Sequence, residues 1–236
     1  MILRPRAVLL VGVLQLASAC AFAFAVKEQV FDEPNYEPDV ARYQLHGVTF
    51  GTLRAHETAS APVMSVLAGL SGRLVPGDIR FRRIPIILAW ALAVAVAFLL
   101  ARSVDEEAFT AALLAALCFP HVPTAMASLL TEGPTMLLTL VGLWATWAGC
   151  TGRLHQRWAA VVAGAACGIA ILTRQYALAT AGAMILTWVL CTRSVLLVAL
   201  SSLGVCAALA ALGWVWGGLS SPASRLPSGP AMHSVV

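Results

Sequence analysis

Two adjacent carboxylates, Asp32 and Glu33, stand just beyond the first long apolar run, which ends near Val26. That spacing holds them at the height of lipid head groups. A carboxylate shielded from water there has a raised pKa and can take the proton of an attacking hydroxyl. A counterpart of opposite charge is Arg174, in the short break Thr173-Arg174-Gln175 between two further apolar runs. A lone guanidinium near membrane depth is costly, and its fork of donors suits a carboxylate or a phosphate. Glu132, ahead of Gly133 and Pro134, either caps a helix or meets a polar ligand. Taken alone, Asp32 and Glu33 also fit a solvated loop or a carboxylate held by Arg42, and Arg174 fits a snorkelling side chain. His121, between Pro120 and Pro123, reads as an ordinary loop residue.

The elements that must carry these residues follow from composition. Of the 236 residues, 60% are hydrophobic and 11% charged, and the mean hydropathy is +0.85. No single water-exposed core accommodates that balance, so the solvent is a bilayer. Apolar runs recur near 7–26, 84–101, 108–120, 135–149, 158–172, 176–190 and 195–216. Each is a candidate crossing, although four are short for about 30 Å of hydrocarbon and fit kinked or half-inserted helices equally well. The expected fold is all-α: a polytopic transmembrane bundle of about seven helices whose long lumenal or external first loop carries short amphipathic helices. Its parts are a first transmembrane helix (1–26), the outer loop with the candidate active site (27–83), the transmembrane bundle (84–216) and a disordered tail (217–236). Within the loop, Ser60 is a candidate cap for a helix placing Val63, Val66, Leu67 and Leu70 on one apolar stripe.

Arginine distribution orients the chain. With Arg4 and Arg6 cytoplasmic, the loops holding Arg102, Arg153, Arg157 and Arg193 also fall inside, while the short outer turns hold only Arg174. Arg80, Arg82 and Arg83 lie on the outer side against this trend, and lipid phosphate is one candidate partner for them. The first run resembles a signal peptide with Ala17-Ser18-Ala19 as a cleavage site, but its length favours a retained anchor. All six cysteines fall within or beside apolar runs and read as small hydrophobes rather than a disulfide or zinc framework. Metal-ligand spacings, Gly-rich phosphate loops and nucleophile elbows are missing, and a net charge of +4 spread over many loops carries no nucleic-acid signal.

Three stretches taken in order resemble a known enzyme class. They are Asp32-Glu33 followed by Ala41-Arg42-Tyr43, then Phe119-Pro120 leading to Leu130-Thr131-Glu132-Gly133 and Met136-Leu137-Leu138-Thr139, and finally Arg174-Gln175. In this order and on one membrane face they are similar to the N-terminal half of GT-C type glycosyltransferases, within which the dolichyl-phosphate-glucose alpha-1,2-glucosyltransferases are the nearest match. The resemblance implies transfer of a hexose, glucose in that family, from a polyprenyl- or dolichyl-phosphate donor to a lipid-linked oligosaccharide in the endoplasmic reticulum membrane. A bacterial plasma-membrane relative with the same layout is the alternative address. It implies Asp32 as general base, Glu33 shaping the acceptor site, and Arg174 with Gln175 near the donor phosphate. Arg42, Tyr43 and Glu132 are then further substrate contacts. No cofactor is specified, a divalent metal is left open, and nucleic acid is not among the partners. The family pattern continues past Arg-Gln with Thr-Asn, where this chain has Tyr176 and Ala177, and family members carry further helices. An inactive fragment or scaffold is therefore the competing expectation, whereas a transporter would need more polar groups at mid-membrane.

Overall fold

A computed structural model of the protein describes residues 5–27, 33–58, 62–104, 107–118 and 132–218. Every regular element among them is a helix, as expected for the all-α class. The seven apolar runs each become one: α1 (Pro5–Ala25), α5 (Ile79–Val104), α6 (Glu107–Leu117), α7 (Glu132–Cys150), α8 (Gln156–Ile171), α9 (Ala177–Thr192) and α10 (Val195–Trp216). Of these, α1, α5 and α10 are long and apolar enough to cross a membrane. With 11 residues, α6 spans only about 16 Å. Its last carbonyl, at Leu117, accepts a bond from the Nε2 of Gln15 at 3.4 Å, half-way along α1. This helix therefore ends opposite the middle of its neighbour.

Close packing of small residues holds the bundle. Gly164 and Gly168, one turn apart on α8, lie against Gly204 of α10, with backbone on backbone so near that a methyl group at any of the three would collide with a carbonyl. Such contacts supply dispersion and weak Cα–H···O bonds where no hydrophobic effect drives helices together. Elsewhere Gly12 of α1 receives Val94 of α5, and Gly149 of α7 receives Trp188 and Ala159.

The first loop is more ordered than its composition indicates. Its acidic stretch is not an extended loop but a helix, α2 (Glu33–His46), even though Pro38 lies inside it. Buried partners for Glu33 and Asp39 override the weak local propensity. A five-residue helix, α3 (Phe50–Arg54), follows, closed by reciprocal bonds between Thr49 and Thr52. The expected amphipathic helix is present as α4 (Val63–Gly72). Met64, Ser65, Ala68, Gly69 and Gly72 are its buried face, while Leu67 and Leu70 are exposed. Gly69 sits against Tyr43 and the carbonyl of Val40, so small size rather than hydropathy decides which face meets α2. Glu132 and Pro134, expected to precede a helix at 135, form the first turn of α7, where proline is tolerated. Ser60, His121, Thr131 and nearly all of the expected disordered tail lie outside the described residues.

Candidate functional site

Helix order brings one end of α1, α5, α7, α8, α9 and α10 beside the first loop, and three polar clusters collect on that rim, the one the arginine distribution of the sequence assigns to the outside.

The deepest joins Glu33, at the start of α2, to Arg83 on α5. Both are fully buried. The Arg83 guanidinium donates from Nε and Nη2 to the two carboxylate oxygens at 2.8 and 2.6 Å, and from Nη1 to the carbonyls of Ala23 and Val26 at 2.9 and 2.7 Å. A fork-to-fork pair with two carbonyl acceptors satisfies almost every donor, the condition under which a buried ion pair survives. Its neighbours are answered too: Arg80 pairs with Asp78, and Arg82 with Glu37 and Gln44. The three arginines that break the orientation trend thus meet carboxylates of their own loop. Arg80 holds the Asp78 carboxyl down to about 2.

The second cluster centres on Asp39, also fully buried. It accepts from the backbone N–H of Glu57 and Thr58 and from Arg42 at 2.7 Å, and lies 3.1 Å from Nδ1 of buried His56. His56 meets Thr58 Oγ1 at 2.7 Å through Nε2 and stacks on Trp216, whose indole N–H donates to the Leu53 carbonyl at 2.9 Å. The last turn of α10 is thereby tied to the first loop. Arg42 also reaches Glu57 and the Ala55 carbonyl. Tyr43 is buried with its hydroxyl 3.3 Å from His56 Nδ1, and burial, then the charge of Asp39, pushes its pKa well up against the opposing pull of Arg42.

The third cluster is at the turn between α8 and α9. Arg174 donates to Glu132 Oε1 at 2.6 Å, and its guanidinium lies 5.9 Å from the centre of the Tyr176 ring. The second oxygen of Glu132 is shielded and has no hydrogen-bond partner among the described residues. Loss of water, then the negative charge of Glu132, raises the pKa of Tyr176; Arg174 and a hydrogen bond with Thr135 oppose this. Tyr36 of α2, one turn beyond Glu33, adds a smaller push in the same direction, so the first loop reaches this turn. Gln175 lies in the same turn.

Beside that turn is an apolar groove of about 310 Å³. Val63, Val66 and Leu67 of α4 line it together with Leu172, Val215 and Trp216. The amide of Val63 donates to the Leu172 carbonyl at 3.3 Å, which fixes α4 against the end of α8, two residues from Arg174. Part of the outward stripe of α4 is thus one wall of the groove.

The structure therefore joins Glu132 to Arg174, places Glu33 on Arg83, and places Arg42 and Tyr43 on Asp39 and His56. Asp32 lies outside the described residues. Arg83, Asp39, His56 and the groove were not singled out from sequence. Only the against-trend position of Arg83 marked it. No group of three or more His, Cys, Asp or Glu side chains converges among the described residues, and the six cysteines are free.

A family model described as dolichyl-phosphate-mannose-protein mannosyltransferase matches residues 59–216, about two-thirds of the chain. Glu132, Arg174 and Gln175 fall inside that segment, while Asp32, Glu33, Arg42 and Tyr43 precede it. No curated protein and no solved structure matches.

Proposed function

The chain belongs to the dolichyl-phosphate-mannose-protein mannosyltransferase family, and on that premise we propose that it is a membrane glycosyltransferase moving a hexose from a polyprenyl-phosphate carrier to a hydroxyl acceptor at its outer rim. One observation carries the reading: the bonded Arg174–Glu132 pair lies only two residues along the chain from Leu172, which lines a wholly apolar groove. A polyprenyl chain needs such a groove, its phosphate needs a cation nearby, and a sugar needs acceptors such as the unengaged oxygen of Glu132.

In this mechanism Asp32 takes the acceptor O–H proton as the acceptor oxygen attacks the anomeric carbon. The bond from that carbon to the phosphate oxygen breaks, and the lipid phosphate leaves with the electron pair beside Arg174. Charge gathers on the departing phosphate, so a positioned guanidinium stabilises the transition state more than the ground state. Glu33, locked by Arg83, holds the start of α2 and so the approach of Asp32. Arg42 and Tyr43 brace the same helix from its far side, and Gln175 assists at the donor phosphate.

The resemblance read from the sequence favours glucose and a lipid-linked oligosaccharide acceptor; the description of the matching family favours mannose and a protein hydroxyl. Membranes containing the chain, given labelled glucose or mannose on dolichyl phosphate, separate these readings by which label moves and where it arrives. We expect transfer from one carrier, a loss of about 10²–10³-fold for Arg174→Ala and about 10²–10⁴-fold for Asp32→Asn. Transfer from neither carrier by the wild type removes the enzyme reading and leaves an inactive membrane fragment.

A further inference from the structure

The two rims differ in how their arginine charge is met. At the outer rim Arg42, Arg80, Arg82, Arg83 and Arg174 each have a carboxylate partner, while Arg73 donates to the carbonyls of Tyr43 and Gln44 and Arg54 lies over the Phe50 ring. At the opposite rim Arg153, Arg157 and Arg193 have none among the described residues. None is available from their own half of the chain, because no Asp or Glu follows Glu132. Glu107, the nearest carboxylate before it, belongs to α6, which packs on α1 and α5.

One of these arginines, Arg157, lines a pocket, and the other two adjoin its lining residues in sequence. The α7–α8 and α9–α10 turns border an open pocket of about 490 Å³ lined by residues that include His155, Gln156, Arg157, Ser194, Leu196 and Leu197. Arg153 and Arg193 belong to the same two turns, and Arg153 is steadied 4.4 Å from the centre of the Trp147 ring. Trp158, next to Arg157 and 67% exposed, marks the level of the head groups, where tryptophan collects. The starts of α8 and α10 lack side-chain caps, so their dipole field adds to that of the guanidiniums with the same sign.

We propose that this cavity binds the phosphate head group of an anionic phospholipid from the leaflet that the arginine distribution assigns to the cytoplasm. Cations flanked by leucine side chains at membrane level match a phosphate carrying glycerol and the first acyl carbons, and basic pockets between helices on this side recognise such lipids. The site is on the opposite rim from the proposed sugar transfer and stands independently of it.

The test is native mass spectrometry of the full chain released from detergent holding equal amounts of palmitoyl-oleoyl phosphatidate and the matching phosphatidylcholine. Wild type retains phosphatidate in preference. Arg157→Gln combined with Arg193→Gln lowers that preference about fivefold for each guanidinium removed, and Arg80→Gln at the outer rim leaves it unchanged. Arg157→Lys, which keeps the charge, retains the preference and separates lost binding from a lost fold. Equal retention of both lipids by the wild type, or an unaltered preference in the double variant, overturns the proposal. Displacement of phosphatidate by an equal concentration of inorganic phosphate overturns it as well, because the ligand is then a free anion.

Discussion

Arg83 donates four hydrogen bonds inside a site from which water is excluded. Removing it as Arg83→Met leaves the Glu33 carboxylate buried and uncompensated, which costs about 3–5 kcal/mol. Replacing both partners, Glu33→Gln with Arg83→Met, returns most of that loss. Thermal unfolding of the detergent-solubilised protein checks both values, and a double variant no more stable than Arg83→Met alone contradicts the ion-pair account. Individual residues were unevenly legible in the sequence. The need of Arg174 for a carboxylate or phosphate follows from its depth alone, and Glu132 meets it. The pairing of Glu33 with Arg83 spans 50 residues, and no local pattern links two positions that far apart. Asp39 stands in an acidic stretch of the sequence, and nothing in its neighbours reveals that two amides and an imidazole close over it.

At the level of elements, hydropathy located all seven apolar helices, since each run is set off by charged or breaker residues. It failed for α2, where Pro34, Pro38 and three acidic residues argue against a helix that tertiary partners nevertheless hold. The stripe on α4 was legible as a stripe, but the side it turns to the protein was not. The apolar stripe meets lipid or the groove, and the small residues meet protein, an inversion expected where the solvent is itself apolar. The same inversion makes Gly164-Ala-Ala-Cys-Gly168 a packing motif that a search for hydrophobic periodicity passes over. Gly168→Leu must push α10 away from α8, because the space is filled by the Gly204 backbone. We expect that variant to lower the unfolding temperature by several degrees, while Gly182→Ala on α9, which meets open space, alters stability by less than about 1 kcal/mol and so shifts that temperature much less. Equal behaviour of the two would show that α8 and α10 do not rely on close approach.

Taken whole, the molecule has one rim where, among the described residues, the first loop is bound to the bundle by Glu33 to Arg83 of α5, by Val63 to Leu172, and by Leu53 and His56 to Trp216. A cysteine at Arg54 and another at Gln156, each placed in a background with the six native cysteines changed to alanine, should therefore react with an impermeant maleimide from opposite sides of sealed vesicles. Reaction of both from one side would sink this topology.

The carboxylate partners of the outer arginines also determine what that rim does at a distance. Residues 27–83 carry seven basic and seven acidic side chains. An anion one Debye length away, about 8–10 Å at ordinary ionic strength, meets almost no net field from such a loop. Selection there happens at contact range and is insensitive to salt. The opposite face carries uncompensated positive charge, so it responds to the surface potential of its leaflet and weakens as electrolyte rises.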